Sequence, residues 1–182
     1  MQASYYICSM DWKGRFETQF FKEGAIIFAP GGICRHLYYI NQGVVRIMSV
    51  SDKGEDITHY FLKENYFCTI LGSFLEQTIA LEGIQAATDV EVLVIGKDEF
   101  NQLMLEDAAF KKTFDLYTTQ GLLQKIRFKN MLHGHNASTR YRLFLERLPD
   151  IAARVQLGYI ASYLGITLQS LSRIRRNLPN GK

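Results

Sequence analysis

The residue types best suited to chemistry lie near the carboxyl end of this chain, where Gln169, Ser172, Arg173 and Arg176 are set among apolar residues at helical spacing. With Leu171 at zero and about 100° per residue, Ile174 falls at about −60° and Leu178 at about −20°, while Gln169, Arg173, Arg176 and Ser172 fall at about 160°, 200°, 140° and 100°. One face is apolar. The opposite face presents an amide, two guanidinium groups and a hydroxyl to solvent. Such a face suits a DNA major groove: Arg binds guanine O6 and N7 bidentately, Gln does the same on adenine, and further guanidinium groups neutralise phosphates.

A face of this kind reads DNA only when another helix holds it. The spacing predicts a short helix over about 157–164 that buries Ile160, Ala161 and Leu164. Gly165 makes the turn, and Thr167 caps the helix running from Leu168 to about Leu178. An earlier helix carries Tyr141, Leu143, Phe144 and Leu148 on one face and stops at Pro149. The set Ile160, Ala161, Leu164, Ile166, Leu171 and Ile174 around Gly165 is more specific than a basic helix alone and defines a helix-turn-helix. The alternative is a solvated three-helix appendage that binds a protein or nothing.

Charge alone does not choose between these readings, since the arginines could equally solvate helix surfaces. The chain has 182 residues, with 21 Lys plus Arg, 18 Asp plus Glu and a formal net charge of +3. Residues 136–182 hold eight Lys or Arg against Glu146 and Asp150, a net +6, so the other 135 residues carry −3. Attraction to a polyanion therefore belongs to the tail. Cys8, Cys34 and Cys68 offer no C-x-x-C spacing and read as reduced thiols. No uncharged apolar run reaches the roughly 20 residues of a membrane span, and residues 1–22 carry Asp11, Lys13, Arg15 and Glu17 where a signal peptide needs an apolar core, so a cytoplasmic protein without a membrane partner is expected.

Ahead of the tail, from Phe16 to Ile95, short β-branched and aromatic runs at 25–29, 37–40, 44–50, 57–62, 84–87 and 90–95 alternate with turns at Gly24, Gly31-Gly32, Asn41-Gln42-Gly43 and Asp52-Lys53-Gly54. Val90, Val92 and Val94 face one way. This is the pattern of an antiparallel sandwich or barrel. After Gly96 the period becomes helical: Asp98 is placed to cap a short helix burying Phe100, Leu103 and Met104, and a long helix follows over about 107–132. Phe114, Tyr117, Gly121, Gln124, Phe128 and Met131 trace one seam along it, while Leu116, Leu122, Leu123 and Ile126 form a second apolar face. Two faces must cover two surfaces, so one is expected on the chain's own barrel and the other on a second copy. We expect Phe114, Tyr117, Gly121, Gln124 and Phe128 at the dimer seam, with Gly121 marking a close helix approach. A single wide core face in a monomer is the alternative. Gly134 ends the helix, and His133 and His135 read as helix-end cations rather than metal ligands.

Taken together, Phe21-Lys22-Glu23-Gly24, Leu37-Tyr38-Tyr39-Ile40 through Gly43-Val44-Val45-Arg46, and Ile160-Ala161-Ser162-Tyr163-Leu164-Gly165-Ile166 leading to Leu171-Ser172-Arg173-Ile174 resemble the cyclic-AMP receptor and fumarate-nitrate regulator (Crp/Fnr) family of bacterial transcription factors. The resemblance covers about residues 16–180. It implies an α+β fold with a double-stranded β-helix (β-roll, or jelly-roll) sensor over 1–106, a dimerisation helix over 107–135 and a three-helix helix-turn-helix domain over 136–182. It also implies a homodimer on a palindromic double-stranded DNA site, with RNA polymerase as a further partner and no enzymatic activity. On this likeness Thr167, Gln169, Ser170, Ser172, Arg173 and Arg176 form the DNA-binding set.

The chain departs from the family in two places. It stops four residues after Leu178, and residues 149–156 are too few for a β-hairpin, so the wing that commonly grips phosphate is not expected. The cyclic-nucleotide binders carry a Gly-Glu pair and then an Arg-Ser pair whose Arg holds the cyclic phosphate; here the positions read about Thr69-Ile70 and Ala80-Leu81. Between Lys63 and Lys97 there is no Lys or Arg, so a buried phosphate lacks a cation in that stretch, and cyclic AMP is not expected. A helix N-terminus near Gly72-Ser73 alone supplies only about 0.3–1 kcal/mol. Phe67, Ile70, Leu71, Phe74, Ile79, Ala80 and Leu81 are instead expected to line a pocket for an uncharged ligand or none. The expected set of cofactors, metals and catalytic residues is empty. Competing readings are a ligand-binding module with an unusual cyclic-nucleotide cassette and, more remotely, a cupin-like metalloenzyme using His36 and His59.

Overall fold

The computed structural model describes residues 10–177, so the expectations for Cys8 and Leu178 lie outside the described residues. A 3-10 turn at Met10–Arg15 leads into eight strands and one short helix: β1 (Glu17–Phe21), β2 (Ile26–Phe28), β3 (His36–Gln42), β4 (Val45–Val50), β5 (Asp56–Leu62), β6 (Phe67–Cys68), α1 (Leu71–Glu76), β7 (Gly83–Ala86) and β8 (Val90–Gly96). Six further helices follow: α2 (Lys97–Glu106), α3 (Ala108–Leu132), α4 (Ala137–Arg147), α5 (Pro149–Arg154), α6 (Leu157–Leu164) and α7 (Leu168–Asn177). The fold is α+β.

The strands pair antiparallel in two four-stranded sheets, ordered β1-β8-β3-β6 and β2-β7-β4-β5, which face each other as a jelly roll. Alternation explains which side chains enter the space between them. Val90, Val92 and Val94 of β8 and Tyr38 and Ile40 of β3 join Ile47, Leu62 and Ile84 in the inter-sheet core. Their neighbours Leu37, Tyr39, Leu93 and Ile95 point out through the first sheet into a second core with Trp12, Phe100, Phe110 and Phe114. These strands are therefore apolar on both faces, which a strictly alternating pattern does not show. At the β3–β4 turn Gly43 has φ +98°, and a Cβ there would meet the Asp89 carbonyl at 2.3 Å, so only glycine fits.

Local signals set the helix ends, with two corrections. The N-cap of α2 is Gly96; Asp98 lies inside the first turn. Asp107 caps α3 by accepting from the Ala109 and Phe110 amides. Pro149 does not merely end α4 but occupies the first turn of α5, a helix absent from the sequence reading. The last four helices do not fold around a core of their own. Phe144, Ile160, Leu164 and Leu171, all nearly or fully buried, share one cluster with Val44, Phe61 and Ala87 of the roll. Tail and roll are one body.

Candidate functional site

In α7 the apolar side is pinned by Leu171, which is fully buried, and by half-buried Ile174. The turn before it is set by Gly165, which ends α6 in the left-handed region at φ +64°. Thr167 Oγ1 accepts from the Ser170 amide at 3.1 Å and donates to Ser170 Oγ at 3.0 Å, so the cap expected at Thr167 is present and its hydroxyl is committed to it. Gln169, Ser170, Arg173, Arg175 and Arg176 are exposed, and Ser172 is half-buried rather than fully turned to solvent. Leu168, Gln169, Ser172, Arg173 and Arg176 line a shallow depression on this face. Among the described residues no carboxylate lies within ion-pair distance of Arg173, Arg175 or Arg176.

Behind this face, α6 docks on the outer edge strand of the second sheet. Ser162 Oγ accepts from the Thr58 amide at 2.8 Å and donates to the Asp56 carbonyl at 2.7 Å, closing part of the open edge of β5. Arg46, fully buried, donates to Gln85, Thr58 and Asp56 and lies 4.0 Å from the Tyr159 ring centroid. Arg154 grips Glu64 with both terminal nitrogens, at 3.0 and 2.6 Å, while Glu64 also accepts from the Gly43 amide. The Arg154 hydrogen bond, more than the cost of burial, holds the Glu64 carboxyl at about 2. Lys63 with Asp150 and Gln156 with Glu23 extend the seam.

The second candidate site is a cavity of about 1400 Å³ bounded by the roll, α3 and the tail. Of the pocket residues expected from sequence, Phe67, Ile70, Leu71, Ile79, Ala80 and Leu81 line it. Phe74 does not: it is fully buried against Phe100, ring centroids 5.1 Å apart, because α1 turns it into the aromatic core beneath Lys97. Sequence reasoning missed a cation on the opposite wall. Lys125 of α3 projects over the Tyr60 ring, 3.6 Å from its centroid, and burial lowers its pKa. The signal was its place one turn after Gly121, on the side of the helix that carries Phe114, Phe128 and Leu132.

That side of α3 is the one expected at the dimer seam. Phe114 is 5% exposed and packs on Phe67 and Phe100; Tyr117 also meets Phe67, and Phe128 stacks on Tyr163 of α6. These rings are held by their own chain because the roll and tail both lie on that side. Gly121 faces the cavity, and within its own chain a Cβ added there would meet nothing within 4 Å; Gln124 is exposed. Leu116, Leu122, Leu123 and Ile126 are all exposed, and Leu122 and Ile126 also border the cavity. His36 and His59 belong to no metal-ligand cluster among the described residues, and His59 Nε2 is hydrogen-bonded to Ser49.

Residues 18–107 match the family described as cyclic nucleotide-binding domain. Three solved structures share the fold over most of the chain. The c-di-GMP-responsive global regulator CLP of Xanthomonas campestris is 18% identical, with a TM-score of 0.74 over 92% of this chain and 88% of its own. FixK2 of Bradyrhizobium japonicum is 18% identical, with a TM-score of 0.75 over 90% and 84%. A CRP/FNR-family transcriptional regulator of Thermus thermophilus is 19% identical, with a TM-score of 0.69 over 91% and 90%. No curated protein sequence matches the chain. No helix among the described residues is long and apolar enough to cross a membrane.

Proposed function

We propose, from the premise that residues 18–107 belong to the cyclic nucleotide-binding domain family and that the chain has the fold of Crp/Fnr regulators, that this protein is a homodimeric, sequence-specific DNA-binding transcriptional regulator. The observation that carries this reading is the exposed face of Gln169, Ser170, Arg173 and Arg176, free of acidic partners among the described residues and braced from behind by buried Leu171. Gln169 and Arg173 reach base edges, and Arg175 and Arg176 neutralise phosphates. Two copies join through the open α3 face of Leu116, Leu122, Leu123 and Ile126, which places two reading helices for a palindrome with half-sites about one helical turn apart. The roll is a sensor that has lost the phosphate-holding arginine, with Ala80-Leu81 in its place. The regulator acts in the cytoplasm, works with RNA polymerase and performs no catalysis of its own. Arg142, Arg175 and Arg176, all exposed, add to the phosphate grip.

Selection from random duplexes followed by gel shift tests this. A palindromic consensus, salt-sensitive binding and a loss with Arg173→Ala support it; unselective binding that Arg173→Ala leaves unchanged sinks it. The family match to residues 18–107 supports a second reading, a cyclic-nucleotide-binding module. Calorimetry of the full chain with cyclic AMP and cyclic GMP discriminates between the two: micromolar binding favours the module.

A further inference from the structure

The cavity between roll and long helix contains a charge that the sensor reading does not use. Its roll end is walled by Leu62, Ile70, Ile79 and Ala80, with Tyr60 and Tyr66 at its side. Two hydroxyls at this end are already committed. Thr69 Oγ1 donates to the His36 carbonyl at 2.9 Å, and Ser73 Oγ donates to the Thr78 carbonyl while accepting from the Cys34 amide. Lys125 is different. It reaches in from α3 over the Tyr60 ring, and among the described residues it has no carboxylate within ion-pair distance. Gly121, one turn earlier on the same side, leaves open space where any other residue would place a side chain.

We propose that this cavity binds an apolar organic molecule carrying one negative charge, a carboxylate or a similar oxyanion, whose charge is met by the Lys125 ammonium of the long helix. The proposal rests on the reading of the roll as a sensor and names the class of its effector. A largely buried ammonium facing a ring and aliphatic walls is costly when empty, and an oxyanion offers it a charge-assisted hydrogen bond. Burial already lowers the Lys125 pKa, which fits a cation short of counter-charge. Over the Tyr60 ring one ammonium suits one charge; Arg127 and Lys129 of α3 and Arg140 and Arg147 of α4 line other parts of the same cavity. A doubly charged phosphate beside Lys125 would be left partly unpaired near Glu82, which lines the cavity too and adds, after burial, to the raised pKa of the Tyr60 phenol. A nucleoside would need hydroxyl and purine partners that Thr69 and Ser73 have spent elsewhere.

Two dyes with one skeleton test the charge. 8-Anilinonaphthalene-1-sulfonate carries a single negative charge, and N-phenyl-1-naphthylamine is its neutral counterpart. Fluorescence titration of the full chain is expected to show the anionic dye binding at least tenfold tighter than the neutral one. Lys125→Met is expected to abolish that preference while the neutral dye binds as before, and Lys125→Arg to retain most of it. Octanoate should displace the anionic dye at lower concentration than octanamide, and cyclic AMP should not displace it. Equal binding of the two dyes by the unaltered chain, a preference that survives Lys125→Met, or displacement by cyclic AMP but not octanoate overturns the proposal. Should Lys125→Met fail to fold, Lys125→Gln carries the same comparison. Gel shift on the same preparations separates the two readings: loss of selective DNA binding by the unaltered chain would strike the regulator, whereas a failed dye preference with DNA binding intact would strike only the effector class.

Discussion

The reading helix and the roll cavity both depend on cations, and they keep them in opposite surroundings. Arg173, Arg175 and Arg176 stand in water with no carboxylate nearby among the described residues, so their charge is freely available to phosphate and base edges. Lys125 is largely desolvated over an aromatic ring, where a single charge counts for far more and must find a counter-charge of matching size. In the proposed roles, the first site meets a polyanion through many weak, screened contacts and the second meets one charge strongly. The cation of the cavity comes from the long helix, the element that also carries the exposed Leu116, Leu122, Leu123 and Ile126.

The largest expected effect comes from the core that makes the two sites one body. Phe144 is fully buried among Val44 and Phe61 of the roll and Leu164 and Leu171 of the tail. Phe144→Ala is expected to cost about 3–5 kcal/mol, measured by urea unfolding. Because the cluster is shared, signals from the roll and the tail should shift together in a single transition; a tail that melts alone while the roll keeps its midpoint would break the comparison at its base.

Next in size is the reader itself. Arg173→Ala removes an exposed guanidinium without disturbing the packing of Leu171, so thermal stability should hold while affinity for the selected palindrome drops by about 1–3 kcal/mol. Lys125→Met should leave that affinity unchanged in the absence of ligand. If instead Lys125→Met weakened DNA binding as much as Arg173→Ala, the two cation sites would not be separable.

How much of this was open to sequence reasoning differs between the same two regions. The reader is a local object: Gly165, Thr167, Leu171 and the arginines lie within a dozen residues, and periodicity fixes their faces before any tertiary contact forms. Yet α5 was missed, because Pro149 marks a helix start as readily as a stop. The cavity is not local. Its apolar wall was recognisable from the run around Ile70 and Ala80, but its cation sits on α3, and only the packing of α3 on Tyr60 reveals it. The same limit holds for the faces of α3: spacing shows that two apolar faces exist, while only packing shows that Phe114 and Phe128 meet Phe67 and Tyr163 of their own chain. Strand β6 is only two residues long and is defined by pairing with Tyr38 and Tyr39, and four of the five residues of β1 are exposed, so neither carries a strong periodic signal.

Acid should weaken the seam that joins the roll to the tail. Glu64 has a folded-state pKa of about 2 against 4.5 for the free group, chiefly through the bidentate Arg154. Because the folded value is the lower one, the stability it contributes is present above about pH 4.5 and is lost as the pH falls toward 2. Melting temperature should therefore decline across that window, and Glu64→Gln should flatten the decline. An unchanged acid profile in Glu64→Gln would assign the loss to another carboxylate, with Asp150, held low by Lys63, the next to examine.

The smallest effect sharpens the account of the cavity. Gly121 sits in the middle of a 25-residue helix, where glycine costs about 0.5–1 kcal/mol relative to alanine. A Cβ at this position meets nothing within 4 Å, so Gly121→Ala has no steric penalty to offset the gain and should stabilise the protein by about that amount, read as a small rise in melting temperature. If open space beside Lys125 is what keeps glycine here, a longer side chain should be tolerated by the fold and yet displace the anionic dye: Gly121→Leu would melt no lower than the unaltered chain while binding the dye more weakly. A Gly121→Leu variant that binds the dye unchanged would place the ligand away from α3, and with it the role given to Lys125.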